Sequence, residues 1–181
     1  MAFNNEINQN ILTSPPTGSG SFVGSVSPAL TGTPTVNAYA LAPVTPWVAW
    51  TPTFTALGTV TSIAFWSRRV GDVLEVRGSW VAGTPTSSEA RVSLGFNGVD
   101  GAVSASSTVL TATEVCGLSA YSRVTASATY VLIESGKAYM NFSLQNGPGG
   151  NASLTPISGT TLMFSGDTLS ILAKIPVTTW P

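Results

Sequence analysis

The stretch FWSRRVGDVLEVRG, residues 65–78, holds five of the chain's fifteen charged side chains. Two chemistries fit such a cluster. Glycoside hydrolysis needs only two carboxylates, set about 5 to 9.5 Å apart across a sugar ring. A cross-strand charge network needs opposite charges facing each other on adjacent strands, each pair contributing roughly 0.2–1 kcal/mol. Asp72 and Glu75 are the only close acidic pair, whereas Glu6, Glu89, Asp100, Glu114, Glu134 and Asp167 stand singly along the sequence. Asp72 falls at a turn and Glu75 alternates with Arg77 on one strand face, so closing a hairpin at Gly71 brings Arg68 or Arg69 beside Glu75. The cluster reads as a charge network, and no catalytic residue is assigned.

Other routes to chemistry are sparse. The chain has no histidine, which removes the commonest general base and metal ligand and every Ser-His-Asp or Cys-His arrangement. No metal site and no cofactor are expected. Cys116, the single cysteine, lies in EVCGLSAY and reads as a structural thiol inside a strand. The glycine-rich NGPGGN, residues 146–151, follows a strand and lacks the lysine of a phosphate loop. Asn141-Phe-Ser143 and Asn151-Ala-Ser153 fit the glycosylation sequon, read here as chance matches. Five tryptophans remain: Trp47, Trp50, Trp66, Trp80 and Trp180. Most are assigned to a core or an interface. Trp66, on the same proposed face as Arg68, is the candidate for contacting a ligand, because an exposed indole stacks on sugar rings.

The elements that would position these residues are strands. Charged residues make up 8% of the chain, against about a quarter in ordinary soluble domains, and glycine, serine, threonine and proline are abundant. Alternation runs through residues 62–69, with Ile63 and Phe65 facing one way and Ala64, Trp66 and Arg68 the other. It continues through 72–80, with Leu74, Val76, Gly78 and Trp80 on one side. Further strands are read at 90–96, 113–122, 128–134, 137–144 and 168–177, with a second turn at Ser135–Gly136 and a strand end or edge at Pro176. These elements predict an all-β fold: an antiparallel β-sandwich or jelly roll of seven or eight strands over residues 46–181, preceded by an extended N-terminal arm over 1–45.

Residues 1–45 carry one charge, Glu6, and their scattered apolar residues cannot offset the entropy of ordering, so the arm is expected to lie along another chain or along copies of itself. So few charges leave the surface underprovided for a monomer, which points to surface buried in an assembly. The net charge of −1 and the absence of a basic run exclude nucleic acid as a direct partner. The opening residues lack the basic start and apolar run of a secretory signal, and no stretch approaches the ~20 apolar residues of a membrane span. A protein made in the cytoplasm, with no membrane partner, is expected.

Two stretches resemble known proteins. GSGSFVGSVSPALTGTPTV, residues 18–36, resembles a pattern recurring in fibre proteins of tailed bacteriophages. WVAWTPTFTALGTVTSIAFWSRRVGDVLEVRGSW, residues 47–80, is similar to the start of β-rich C-terminal domains of phage virion proteins, and SGDTLSILAKIPVTTWP to their closing strand. The resemblance implies a non-enzymatic virion surface protein, a homotrimer whose residues 1–45 attach to other virion proteins and whose β-domain faces outward. In such a trimer the arms would bury Phe22, Val23, Val26 and Leu30 against each other. The chain has one copy of the shaft-like motif, which favours a short tail fibre, a head fibre or a decoration protein over a long fibre. The alternative it implies is a receptor-binding module for host cell-surface glycan.

Overall fold

Alternating apolar residues and tight turns build the predicted strands into one dominant sheet. The computed structural model describes residues 35–36, 39–40, 43–122, 128–144 and 154–181. The chain divides into two units, residues 1–41 and 42–181. Within the first, β1 (Thr35–Val36) pairs antiparallel with β2 (Tyr39–Ala40).

The second unit is all-β, a curled antiparallel sheet of the sandwich and jelly-roll class. Its strands are β3 (Val48–Ala49), β4 (Phe54–Thr55), β5 (Thr61–Val70), β6 (Val73–Val81), β7 (Arg91–Ser93), β10 (Glu114–Ser122), β11 (Ala128–Ile133), β12 (Tyr139–Leu144) and β13 (Thr168–Pro176). A separate two-stranded ladder joins β8 (Gly95–Phe96) to β9 (Val99–Asp100). The nine-stranded order is β3-β5-β6-β13-β10-β11-β12-β7-β4. Seven of these strands have three or more residues, in line with the seven or eight expected.

Ring contacts show how far the sheet curls. Trp80 on β6 and Phe142 on β12 stand four strands apart in the order, about 19 Å on a flat sheet, yet their centroids are 6.0 Å apart. Phe54 on β4 and Phe65 on β5 are seven strands apart and 5.9 Å from each other. The rings of Trp50, Phe54, Phe65, Trp80 and Phe142 therefore bridge the two layers and form the centre of the core. Gly78 shares this inner face because a Cβ there would meet the Phe65 ring at 2.4 Å.

One short segment serves both ends of the sheet. Val44 bridges Val70, Thr45 N–H donates to the Arg69 carbonyl at 3.0 Å, and Trp50 N–H to the Phe65 carbonyl at 3.2 Å, along β5. A few residues on, β4 pairs with β7 at the opposite edge, and the Thr53 carbonyl accepts from Ser93 N–H at 3.0 Å. Asp100 fixes the crossing by accepting from Thr53 N–H at 3.1 Å, from its hydroxyl at 2.8 Å, and from the Ser93 hydroxyl.

The β5–β6 hairpin turns at Gly71–Asp72, with Gly71 at φ 62°, where a II′ turn places glycine. Gly136 at φ 70° closes the second predicted turn, with Lys137 N–H donating to the Glu134 carbonyl at 3.2 Å. On β13 the buried residues Leu169, Ile171, Ala173 and Ile175 follow the predicted period of two, with Val177 buried just beyond, and Pro176 ends a central strand rather than lying on an edge. Ile63 departs from the face it is expected to share with Phe65. β5 bulges between Thr61 and Ala64, with Ser62 at φ 51°, and Ile63 stays 37% exposed.

Candidate functional site

The strand register sorts the outer face of β5, β6, β13 and β10 into three rows. The first is charged: Arg68 faces Glu75, which faces Lys174. Arg68 Nε lies 2.7 Å from Glu75 Oε2 and Lys174 Nζ 3.1 Å from Oε1, so one carboxylate is held by two cations from the strands on either side. Arg68, then Lys174, hold the Glu75 carboxyl below its ordinary value of 4.5. This is the network that the sequence predicts for the hairpin. Arg69 belongs to the other face and takes Asp72, at 3.6 Å, and the ring of Trp180, at 4.6 Å.

The second row is Trp66, Arg77, Leu172 and Leu118, a line about 14 Å long over three strand spacings. Leu172 and Leu118 are direct cross-strand partners on the two central strands, and they remain 59% and 58% exposed. The third row is small: Ala64, Ser79, Ser170 and Ala120.

Between the second and third rows lies an open groove of about 520 Å³, lined by Trp47, Trp66, Arg77, Gly78, Ser79 and Ser170. Trp66 is 40% exposed. Trp47, just before β3, has the Arg68 guanidinium 4.7 Å and the Arg77 guanidinium 5.6 Å from its ring centre. Such cation–π contacts hold guanidinium groups against an indole without neutralising them. Trp66 and Arg68 thus share the outer face as the alternation predicts, but Arg77, not Arg68, lines the groove beside Trp66. The alternation predicts Arg77 on the face with Glu75, and the sequence assigns Trp47 to a core or an interface rather than to a ligand. Trp47 precedes a two-residue strand, too short for any period to reveal.

The second polar cluster joins residues that the sequence keeps apart. Arg91 holds Glu89 through Nε at 2.9 Å and Nη2 at 3.0 Å. The buried Asn141 donates from Nδ2 to Glu89 Oε1 at 3.2 Å and to Glu134 Oε1 at 2.6 Å, so two acids that stand singly in sequence share one amide. Their closeness corrects the impression of dispersed carboxylates. The electrostatics do not suit a general acid, which needs a raised pKa. Arg91 holds Glu89 below its ordinary value of 4.5, outweighing the opposite push of burial. Arg91 also lies 4.3 Å over the Tyr139 ring, and the group ties β7 and β12 to the 134–137 turn.

Cys116 sits on β10 with its thiol pushed up to about 12 by burial and donating to the Val131 carbonyl at 3.5 Å. Thiolate chemistry is therefore suppressed. Asn141 and Ser143 are buried in the folded unit, so that sequon is not accessible to modification there. Trp50 and Trp80 are core residues, as most tryptophans were expected to be, and Trp180 packs edge-on against Phe96 at 4.9 Å. The arm residues Phe22, Val23, Val26 and Leu30, the loop 146–151 and the second sequon lie outside the described residues. Among the described residues no three Cys, Asp or Glu side chains converge, and no helix is long and apolar enough to cross a membrane. No protein-family model matches the chain, and no curated protein matches it.

Proposed function

We propose that the protein is a non-enzymatic structural component of a bacteriophage virion: a homotrimer attached to other virion proteins by residues 1–45, with the β-domain facing outward as a short tail fibre, head fibre or decoration protein. The observation that carries this reading is the exposed Leu118–Leu172 pair at the centre of the sheet. In a chain with 8% charged residues, an apolar pair at the middle of a regular face is surface suited to contact between copies. The phage-fibre resemblance supports the same reading. So do the ion-paired states of Glu75 and Glu89, both held ionised rather than poised as acids. Antibody labelling of intact particles from the source lysate, viewed by electron microscopy, tests the proposal. Label over the head supports a head fibre or decoration protein, label at the tail supports a tail fibre, and particles without label overturn the virion reading.

The groove favours a second reading, a module that recognises host cell-surface glycan. Its exposed Trp66 indole beside polar side chains is the arrangement that stacks on a sugar ring while hydroxyl groups fix its orientation.

A further inference from the structure

We infer that the Trp47–Trp66 groove binds an acidic saccharide, with Arg77 as the residue that selects its negative charge. This rests on the glycan reading of the groove and adds the class of sugar.

The charge pattern is the starting point. The chain as a whole has a formal charge of −1, yet the outer face of β5, β6 and β13 places Arg68, Arg77 and Lys174 around a single carboxylate, Glu75. Glu75 is shared by Arg68 and Lys174. Arg77 has no carboxylate partner among the described residues, is exposed, and stands at the groove beside Trp47. A guanidinium left unpaired, pre-oriented against an indole and surrounded by few competing charges is a receptor for one carboxylate or sulfate, which its fork takes bidentately.

The rest of the groove matches a sugar. The Trp66 indole offers a flat apolar surface to a ring face, and Ser79 and Ser170 are cross-strand partners that set two hydroxyl groups side by side on the floor. The groove volume of about 520 Å³ lies within the roughly 300–1,000 Å³ of small-ligand clefts, enough for the end of an oligosaccharide. Other occupants fit less well. A nucleic-acid strand needs a line of free cations tracking successive phosphates, and at this groove one is free among the described residues. An extended peptide gains affinity from an open sheet edge, whereas this groove lies on the face of paired strands.

The test is titration of the full chain, by calorimetry and tryptophan fluorescence, with sialyllactose and trigalacturonic acid against their neutral counterparts lactose and α-1,4-galactotriose. At least one acidic sugar is expected to bind ten-fold or more tightly than its counterpart, with affinity falling as salt rises. Arg77→Ala should remove that preference, Arg77→Lys should keep part of it, and Trp66→Ala should weaken acidic and neutral sugars alike. Thermal melts of the variants, unchanged for these exposed positions, separate loss of binding from loss of fold. Equal affinity for acidic and neutral sugars overturns the acidic-ligand inference and leaves the glycan reading standing. Binding by none of the four overturns both for these sugar classes. An acidic preference that survives Arg77→Ala overturns the assignment to this groove. A mass change on Trp66→Ala without sugar binding assigns the face to contact between copies, and tighter binding of a single-stranded oligonucleotide assigns it to phosphate; either result overturns the proposal.

Discussion

The two sides of β5, β6, β13 and β10 share one register and are built on opposite rules. On the inner side, Phe65, Trp80, Leu169 and Ile171 fill the space between curled layers, with rings 5.5 to 6.0 Å apart across strands remote in sheet order. On the outer side the same strands present a charged row, a row of Trp66, Arg77 and two leucines, and a small row, each exposed or half-buried. Inside, volume determines what a position tolerates. Outside, the identity of the exposed group does, since little packs over it. Stability and recognition are thus assigned to alternate residues of the same strands, and substitutions should separate them.

The largest effect is expected at the centre of the inner side. Trp80→Ala removes the ring that touches Phe54, Phe65 and Phe142, and should cost about 3–5 kcal/mol in urea unfolding. Gly78→Val should cost about 1–3 kcal/mol, because the added carbons enter the space of the Phe65 ring. A loss no larger than that of a surface change would mean that the ring moves aside freely.

On the outer side, Glu75→Gln should cost about 1 kcal/mol, since it leaves Arg68 and Lys174 without their shared partner at a partly exposed site. The pH dependence has a defined sign. Both Glu75 and Glu89 titrate below their ordinary value of 4.5 when folded. Their contribution is therefore complete above that value and lost as pH falls through the folded pKa. Thermal melts should be flat from about pH 6 to 8 and fall below about pH 4.5, and Glu75→Gln should flatten that acid limb. Ser67 tests the inner rule from the other direction. It is buried among the inner residues of β5 and its hydroxyl has no hydrogen-bond partner among the described residues, so Ser67→Ala should be neutral or stabilise by up to about 1 kcal/mol. The smallest change in stability, within about 0.5 kcal/mol, is expected for Leu172→Ser. The same variant should lower the mass measured by light scattering if copies meet through the leucine pair. An unchanged mass would move the contact elsewhere.

The long strands were legible because their neighbours in space are also their neighbours in pattern. Alternation through 62–80 gave the β5–β6 hairpin, its turn glycine and the meeting of Arg68 with Glu75, seven residues apart. What stayed hidden depends on distant closure. Glu89 and Asn141 are 52 residues apart, and nothing local in either segment signals that β7 will lie beside β12. The two-residue strands β3 and β4 carry no period, so neither the groove wall at Trp47 nor the crossing at Thr53 could be read. Ile63 was misplaced because a bulge changes the count by one residue, and alternation assumes that no residue is extra.

The segment that runs from Val44 to Thr55 has a consequence for crowding. A sheet with two open edges offers unpaired N–H and C=O groups to any similar edge nearby, and at high local concentration such edges template one another into extended stacks. Here a single short run of chain lies along β5 at one end of the sheet and along β7 at the other, with Pro46 and Pro52, which have no N–H to donate, within it. The strands left at the two edges, β3 and β4, are each two residues long. Copies held side by side at densities that would drive long open edges into fibrils then meet edge strands too short to template an extended stack.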